Sequence, residues 1–344
     1  MAISISGGKD SDAMLGLLLA ERRARSWPGT VVAIHADLGA ADWPQTPGYV
    51  RFTADRAGVQ LIVVRRPQGD LPTEIEARVV TLGGSAPPWP SSEARYCTSD
   101  QKRGQIDKVL RSSPWPAKTQ RYCTADQKRD QLLKQQRRLG DLVVTAMGMR
   151  AQEGCMVCRK AKKASRVPLP HNHQSARAKK PVVAVSKRLT AKRLSSMTPA
   201  SALAAWDPQR GERLVLEWLP IHEWEEAADV WPALGYTMAE VDRRRDLARA
   251  GNQAEALVGW TAHPAYVMGL GNDRMACSLC ILGCKSDLEN GARHNPALFR
   301  RYLQIELATG YSFTVDQALA DLDCAHELAP DLVGPKMTKQ ERLL

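Results

Sequence analysis

Ser6-Gly7-Gly8-Lys9-Asp10-Ser11 combines in one short run the side chains and the backbone freedom needed to hold an anion. Two adjacent glycines let the chain turn sharply and aim successive N–H groups at one point. Lys9 adds a full positive charge, and a helix starting there adds the positive end of its dipole. Asp10 and Ser11 are placed to cap that helix while leaving backbone amides for phosphate oxygens. Neither G-x-x-x-x-G-K-[ST] nor G-x-G-x-x-G occurs in the chain, so Walker-type and dinucleotide fingerprints are excluded.

The cysteines form a second set with chemistry in its spacing. Cys155-x-x-Cys158 and Cys277-x-x-Cys280 are C-x-x-C pairs, and Cys284 follows the second. Thiolates so spaced hold Zn²⁺ or an iron–sulfur cluster, or act as redox pairs. A local alternative is Cys155, Cys158, His171 and His173, whose last interval is tighter than a usual zinc finger. Buried, unligated thiols are the plain alternative. Eight cysteines in 344 residues are too few for a secreted disulfide scaffold.

Charge is concentrated in one place. The net charge is +11, and residues 151–195 alone carry twelve Lys/Arg against one acid, Glu153. Such a segment either tracks a nucleic-acid backbone or forms a solvated face. The longest near-apolar run, Ala13 to Ala20, is far short of the roughly 20 residues that cross a bilayer, and no secretory leader is evident. The expectation is a cytoplasmic protein with no membrane partner.

The elements that must position these groups alternate. Strands are expected at 2–6, 30–36, 61–64, 141–147 and 213–219, with helices over 10–25 and near 49–57. Continuous apolar strands alternating with helices indicate a parallel sheet covered on both faces. Pro88-Trp89-Pro90 with Arg95-Tyr96-Cys97-Thr98 and Gln101-Lys102-Arg103 recurs at Pro114-Trp115-Pro116, Arg121-Tyr122-Cys123-Thr124 and Gln127-Lys128-Arg129. Each Thr-x-Asp suggests a helix N-cap with a basic first turn, and only one copy is expected to face a site. The organisation expected is a domain over 1–235, containing the 88–136 repeat and the 151–195 basic insertion. A mostly helical region over 236–344 follows, with a Cys-rich turn at 277–284 and a helix near 296–309.

Ser-Gly-Gly-Lys-Asp-Ser after an N-terminal strand resembles the PP-loop of the adenine nucleotide α-hydrolase superfamily. Further stretches resemble its phosphoadenosine phosphosulfate (PAPS) reductase branch: Arg-Tyr-Cys-Thr followed by Lys, residues 148–153, Trp218-Leu219-Pro220-Ile221 leading to Trp224 and Val230-Trp231, His263-Pro264-Ala265-Tyr266, Arg274 and Cys277-Ser278-Leu279-Cys280. The resemblance implies an open, Rossmann-like parallel sheet of five strands with a nucleotide across its carboxyl edge and a helical C-terminal extension. It implies that Ser6, Gly7, Gly8, Lys9, Asp10 and Ser11 bind phosphate. Lys9 and Arg150 would stabilise developing negative charge, and Asp37 lies near the nucleotide face or caps the strand end. The substrate nucleotide would be ATP, with Mg, cleaved between its α- and β-phosphates to activate an acceptor such as DNA or tRNA for sulfur transfer from a donor protein. The alternatives are reduction of a sulfonucleotide such as PAPS, or a non-catalytic nucleotide- or nucleic-acid-binding module. Two departures bear on the choice. Asp323-Cys324-Ala325-His326 replaces the reductase's C-terminal Glu-Cys-Gly motif, and residues 154–173 read as an insertion.

Overall fold

The computed structural model describes residues 1–27, 29–91, 96–106, 142–148, 150, 182–186, 214–221, 223–275, 277–314 and 317–334. The chain divides into two compact units. One comprises Met1–His35, Val50–Val64 and Gln105–Thr237, the other Ala36–Tyr49, Arg65–Gly104 and Met238–Leu344.

Short apolar runs become strands and the longer patterned runs become helices: β1 (Ala2–Ser4), α1 (Lys9–Ala24), β2 (Val32–Ala36), α2 (Thr46–Arg56), β3 (Gln60–Val64), β4 (Leu142–Met147), β5 (Val182–Ser186) and β6 (Leu214–Trp218). They form one sheet in the order β3-β2-β1-β4-β6-β5. β1 runs parallel to β2 and β4, and β4 runs parallel to β6, so four strands share one direction. The α/β class with a parallel sheet expected from the alternating pattern is therefore present.

β5 is a difference from the sequence reading. It pairs antiparallel with β6, and it lies inside the segment read only as a basic insertion. The run Val182-Val183-Ala184-Val185-Ser186 has the β-branched content of a strand, which the surrounding charge masked.

Ile3 of β1 stands in register with Ala33 of β2 and Ala146 of β4, and all three are fully buried. Met14, Leu15, Leu18 and Leu19 recur on one face of α1 and pack with Ile3, Ile5, Val50, Ala54 and Ile221. That stripe fixes where α1 starts, and with it Lys9. The strand order also reverses between β1 and β4, since the chain after β1 goes to β2 and β3 on one side and β4 joins on the other. In open α/β sheets the crevice at such a reversal, beyond the carboxyl ends of the strands, is where ligands bind.

The second unit contains α3 (Leu71–Leu82), α4 (Met238–Arg249), α5 (Gln253–Leu257), α6 (Lys285–His294) and α7 (Pro296–Thr309). Asp70 caps α3 by accepting the Thr73 N–H, and Gly83 ends it in the left-handed conformation. Trp89 sits edge-on to Tyr302 and Phe313, with ring centroids 5.5 and 5.1 Å away. Glu306 is buried but accepts the N–H groups of Phe313, Leu319 and Ala320, so its carboxylate is satisfied. In the first repeat copy the helical turn already begins at Tyr96 and continues through Ser99–Arg103. Thr98 thus lies within it, not at its cap as expected. Tyr96 starts the turn because its ring is buried and its hydroxyl bonds Pro88 O. The second copy lies outside the described residues. No helix among the described residues is long and apolar enough to cross a membrane.

Candidate functional site

The loop between β1 and α1 is held by its own hydroxyls. Gly7 has φ 78°, the left-handed region that glycine enters without strain. Ser11 Oγ donates to Gly8 O at 2.8 Å and accepts the Ser6 N–H at 3.2 Å. Ser6 Oγ accepts the Gly8 N–H at 3.4 Å. Gly8 is the N-cap of α1, and no side chain caps the helix there. The expected capping by Asp10 and Ser11 is therefore corrected: Ser11 pins the loop, and Asp10 is drawn to Arg150.

Two buried cations meet at the start of α1. Lys9 leads the helix, with its side chain 3% exposed and its Nζ 5.9 Å from the centre of the Trp231 ring. Arg150 follows β4, with its side chain 4% exposed and its Nε 2.6 Å from Asp10 Oδ1. One carboxylate joins them: Glu226 Oε1 is 3.5 Å from Lys9 Nζ, and Oε2 is 3.3 Å from Arg150 Nη2. Gly148, at the carboxyl end of β4, makes this convergence sterically possible. A Cβ there would lie 3.0 Å from Asp10 C, Asp10 O and Ser11 N.

Lys9, Asp10 and Arg150 are thus brought together beyond the ends of β1 and β4. Glu226 was not foreseen. It stands on the π-helical turn Glu226–Val230, between Trp224 and Trp231, and its only sequence signal was being acidic there. Removing two cations from water requires compensating charge or hydrogen bonds, and Glu226 and Asp10 supply it.

Asp37 follows β2. Its Oδ1 accepts the Gly39 N–H at 2.7 Å, and its Oδ2 pairs with Arg65. This gives Asp37 the strand-end capping role that was one of its two expected roles.

The described cysteines divide by environment. Cys277 and Cys280 share a thiol hydrogen bond. Lys102, from the first repeat copy, faces both of them as well as Cys97 and Asp42. The Cys277 hydrogen bond, reinforced by Lys102 and the Leu282 N–H, holds the Cys280 thiol down at about 6, whereas that bond and burial push Cys277 up. Cys284 is the N-cap of α6, in a capping box with Asp287. Cys155, Cys158, His171 and His173 lie outside the described residues. Among the described residues no group of three or more His, Cys, Asp or Glu is arranged to hold a metal ion. Cys277 and Cys280 thus face each other, and the further donors expected with them, Cys155 and Cys158, are among the residues outside the description.

Two further motif residues are buried. His263 is buried, and its Nδ1 accepts the Ala265 N–H at 3.2 Å. The proton must then be on Nε2, which lies 3.2 Å from Thr46 Oγ1. Burial lowers its pKa to about 3, so the ring is neutral. Cys324 is fully buried and burial raises its thiol to about 11, a poor setting for a nucleophile.

No protein-family model matches the chain, and no curated protein matches it.

Proposed function

We propose that this chain is a nucleotide-cleaving enzyme of the PP-loop type, which uses ATP to activate an acceptor for sulfur transfer. The observation that carries this reading is the convergence of Lys9 and Arg150 on one carboxylate beside the Gly7-Gly8 loop. Two buried cations sharing one anion mark a place where negative charge is stabilised, and phosphate oxygens are chemically equivalent guests. Their position beyond the ends of β1 and β4 supports it independently. On this reading the sheet is an open, Rossmann-like one of the adenine nucleotide α-hydrolase kind, with five of its strands parallel.

The triphosphate enters as its magnesium complex and displaces Glu226 from the two cations. An acceptor oxygen attacks the α-phosphorus as the bond to the bridging oxygen breaks, and pyrophosphate leaves. Lys9 and Arg150 offset the charge that grows on the phosphate oxygens, and being already in place they need no reorganisation. A sulfur nucleophile then displaces AMP from the adenylated acceptor. The acceptor class, a nucleic acid, follows from the basic segment at 151–195, most of which lies outside the described residues. The buried, high-pKa Cys324 is a poor nucleophile for the sulfonucleotide reductase reading, which leaves the exposed Cys284 as that reading's candidate.

The test is product analysis with MgATP and either tRNA or DNA. AMP and pyrophosphate, dependent on the acceptor and absent with Lys9→Ala, are expected. ADP and phosphate as products, or turnover that survives Lys9→Ala, would contradict it.

A further inference from the structure

α1 and α2 end in the same way, and their ends come together. After α1 the Ser26 N–H donates to Arg23 O and the Trp27 N–H to Arg22 O, at 3.4 and 3.0 Å. After α2 the Gly58 N–H donates to Asp55 O and the Val59 N–H to Ala54 O, at 3.0 and 3.1 Å. Both are helix stops that hold one residue in the left-handed region, a position suited to glycine. Gly58 meets that preference with φ 64°. Ser26 does not: at φ 50° it is the one non-glycine residue with positive φ among the described residues. A side chain kept in a disfavoured backbone region points to a use for the side chain itself.

Between the two stops, within the first unit, lies a cavity of about 310 Å³. Leu19, Trp27, Ala57 and Val59 give it apolar walls, and Arg22, Arg23 and Ser26 also line it. Leu19 is buried, Trp27 is half-buried, and Arg23 is exposed. Arg22 is oriented by Nη2, which donates to Gly29 O at 2.9 Å. The neighbouring acid, Glu21, is taken by Arg25. Neither Arg22 nor Arg23 pairs with an acid among the described residues. The cavity precedes the starts of β2 and β3, at the amino end of the sheet. The 16 residues of α1 put it about 24 Å from Lys9.

We propose that this cavity binds one nucleotide unit, its base against Trp27 and its phosphate at Arg22 and Arg23. The volume is at the lower end for ligand cavities, which suits one nucleotide and not a run of them. An indole between aliphatic walls offers a flat ring a stacking surface. Two guanidiniums with no carboxylate partner match the charge of a phosphate monoester and bond its oxygens in pairs. An uncharged ring would leave the arginines unanswered, and a bare phosphate would leave the apolar walls wet. The same unit occurs free, as a nucleoside monophosphate, and as the 5′-terminal nucleotide of a single strand. The proposal is independent of the reading of the Gly7-Gly8 loop.

The experiment irradiates the full chain with 8-azidoadenosine 5′-monophosphate and maps the label by peptide mass. Label is expected within residues 19–27 or 57–59, suppressed by AMP but not by adenosine or inorganic phosphate at the same concentration. The readout for variants is the AMP concentration that halves the label on these peptides. Arg23→Gln, an exposed change that spares the core, should raise it about tenfold, and Trp27→Leu should do the same. Ser26→Gly should raise the Tm of the free protein by relieving the backbone, and yet weaken AMP. A short 5′-phosphorylated single strand that suppresses the label below the AMP concentration assigns the site to a strand end; one that needs more assigns it to the free nucleotide. Label found only elsewhere, equal suppression by adenosine and AMP, or no effect of Arg23→Gln would overturn the proposal. So would a Ser26→Gly variant that is more stable but binds AMP unchanged.

Discussion

Glu226 neutralises Lys9 and Arg150 together, so removing its charge should strengthen nucleotide binding while weakening the free protein. The gross attraction is a few kcal/mol per pair at the effective dielectric of a protein surface. Most of it is cancelled by desolvation, and Glu226 is 23% exposed, which discounts it further. A net loss of about 1 kcal/mol on displacement of the carboxylate is reasonable, equivalent to about fivefold in affinity. Glu226→Gln keeps the shape and a hydrogen-bonding amide but not the charge. Titration calorimetry should therefore give a nucleotide Kd about fivefold lower than wild type. Thermal denaturation should show a lower Tm for the free variant, because Lys9 loses the Glu226 carboxylate and Arg150 is left with that of Asp10, and a larger upward shift on adding nucleotide. Weaker binding in Glu226→Gln would refute the reasoning, since it would mean that Glu226 holds the ligand or its magnesium. An unchanged Kd and Tm would mean that the carboxylate is not coupled to the cations.

Three further outcomes follow from the packing and the charges. Gly148→Ala should weaken nucleotide binding and cost about 1–3 kcal/mol in denaturant unfolding, because its Cβ would press on the backbone of Asp10 and Ser11. Gly291→Ala should be more damaging, with a large fall in Tm and in soluble yield, because its Cβ would overlap Ser278 O. The third concerns pH. His263 stays neutral in the fold down to about 3, while the unfolded chain takes up a proton below about 6.5, so stability falls as pH falls through that window. Between pH 7 and 5.5 this linkage amounts to about 1 kcal/mol. His294, lowered by burial and Arg293, acts in the same direction, so the readout is the smaller loss in His263→Gln than in wild type.

The elements around the loop were legible because their signals are local. A short apolar strand, two glycines and a helix with Met14, Leu15, Leu18 and Leu19 on one face can be read within a window of residues. Glu226 was not legible: its partners lie 76 residues away at Arg150 and in the first helix at Lys9, and such a pairing leaves no periodic trace. The same holds for Lys102 beside Cys277 and Cys280, which only the folded second unit brings together. β5 was hidden by composition, its valines lying within a basic run. The start of the first repeat's helical turn was misjudged because burial of Tyr96 outweighs the capping preference of Thr98.

The most direct measurement is titration of the full chain with MgATP and, separately, with PAPS, in wild type and Lys9→Ala. The account predicts saturable ATP binding that Lys9→Ala abolishes, with PAPS bound more weakly. ATP binding that is unaffected by Lys9→Ala, or a clear preference for PAPS, would contradict it.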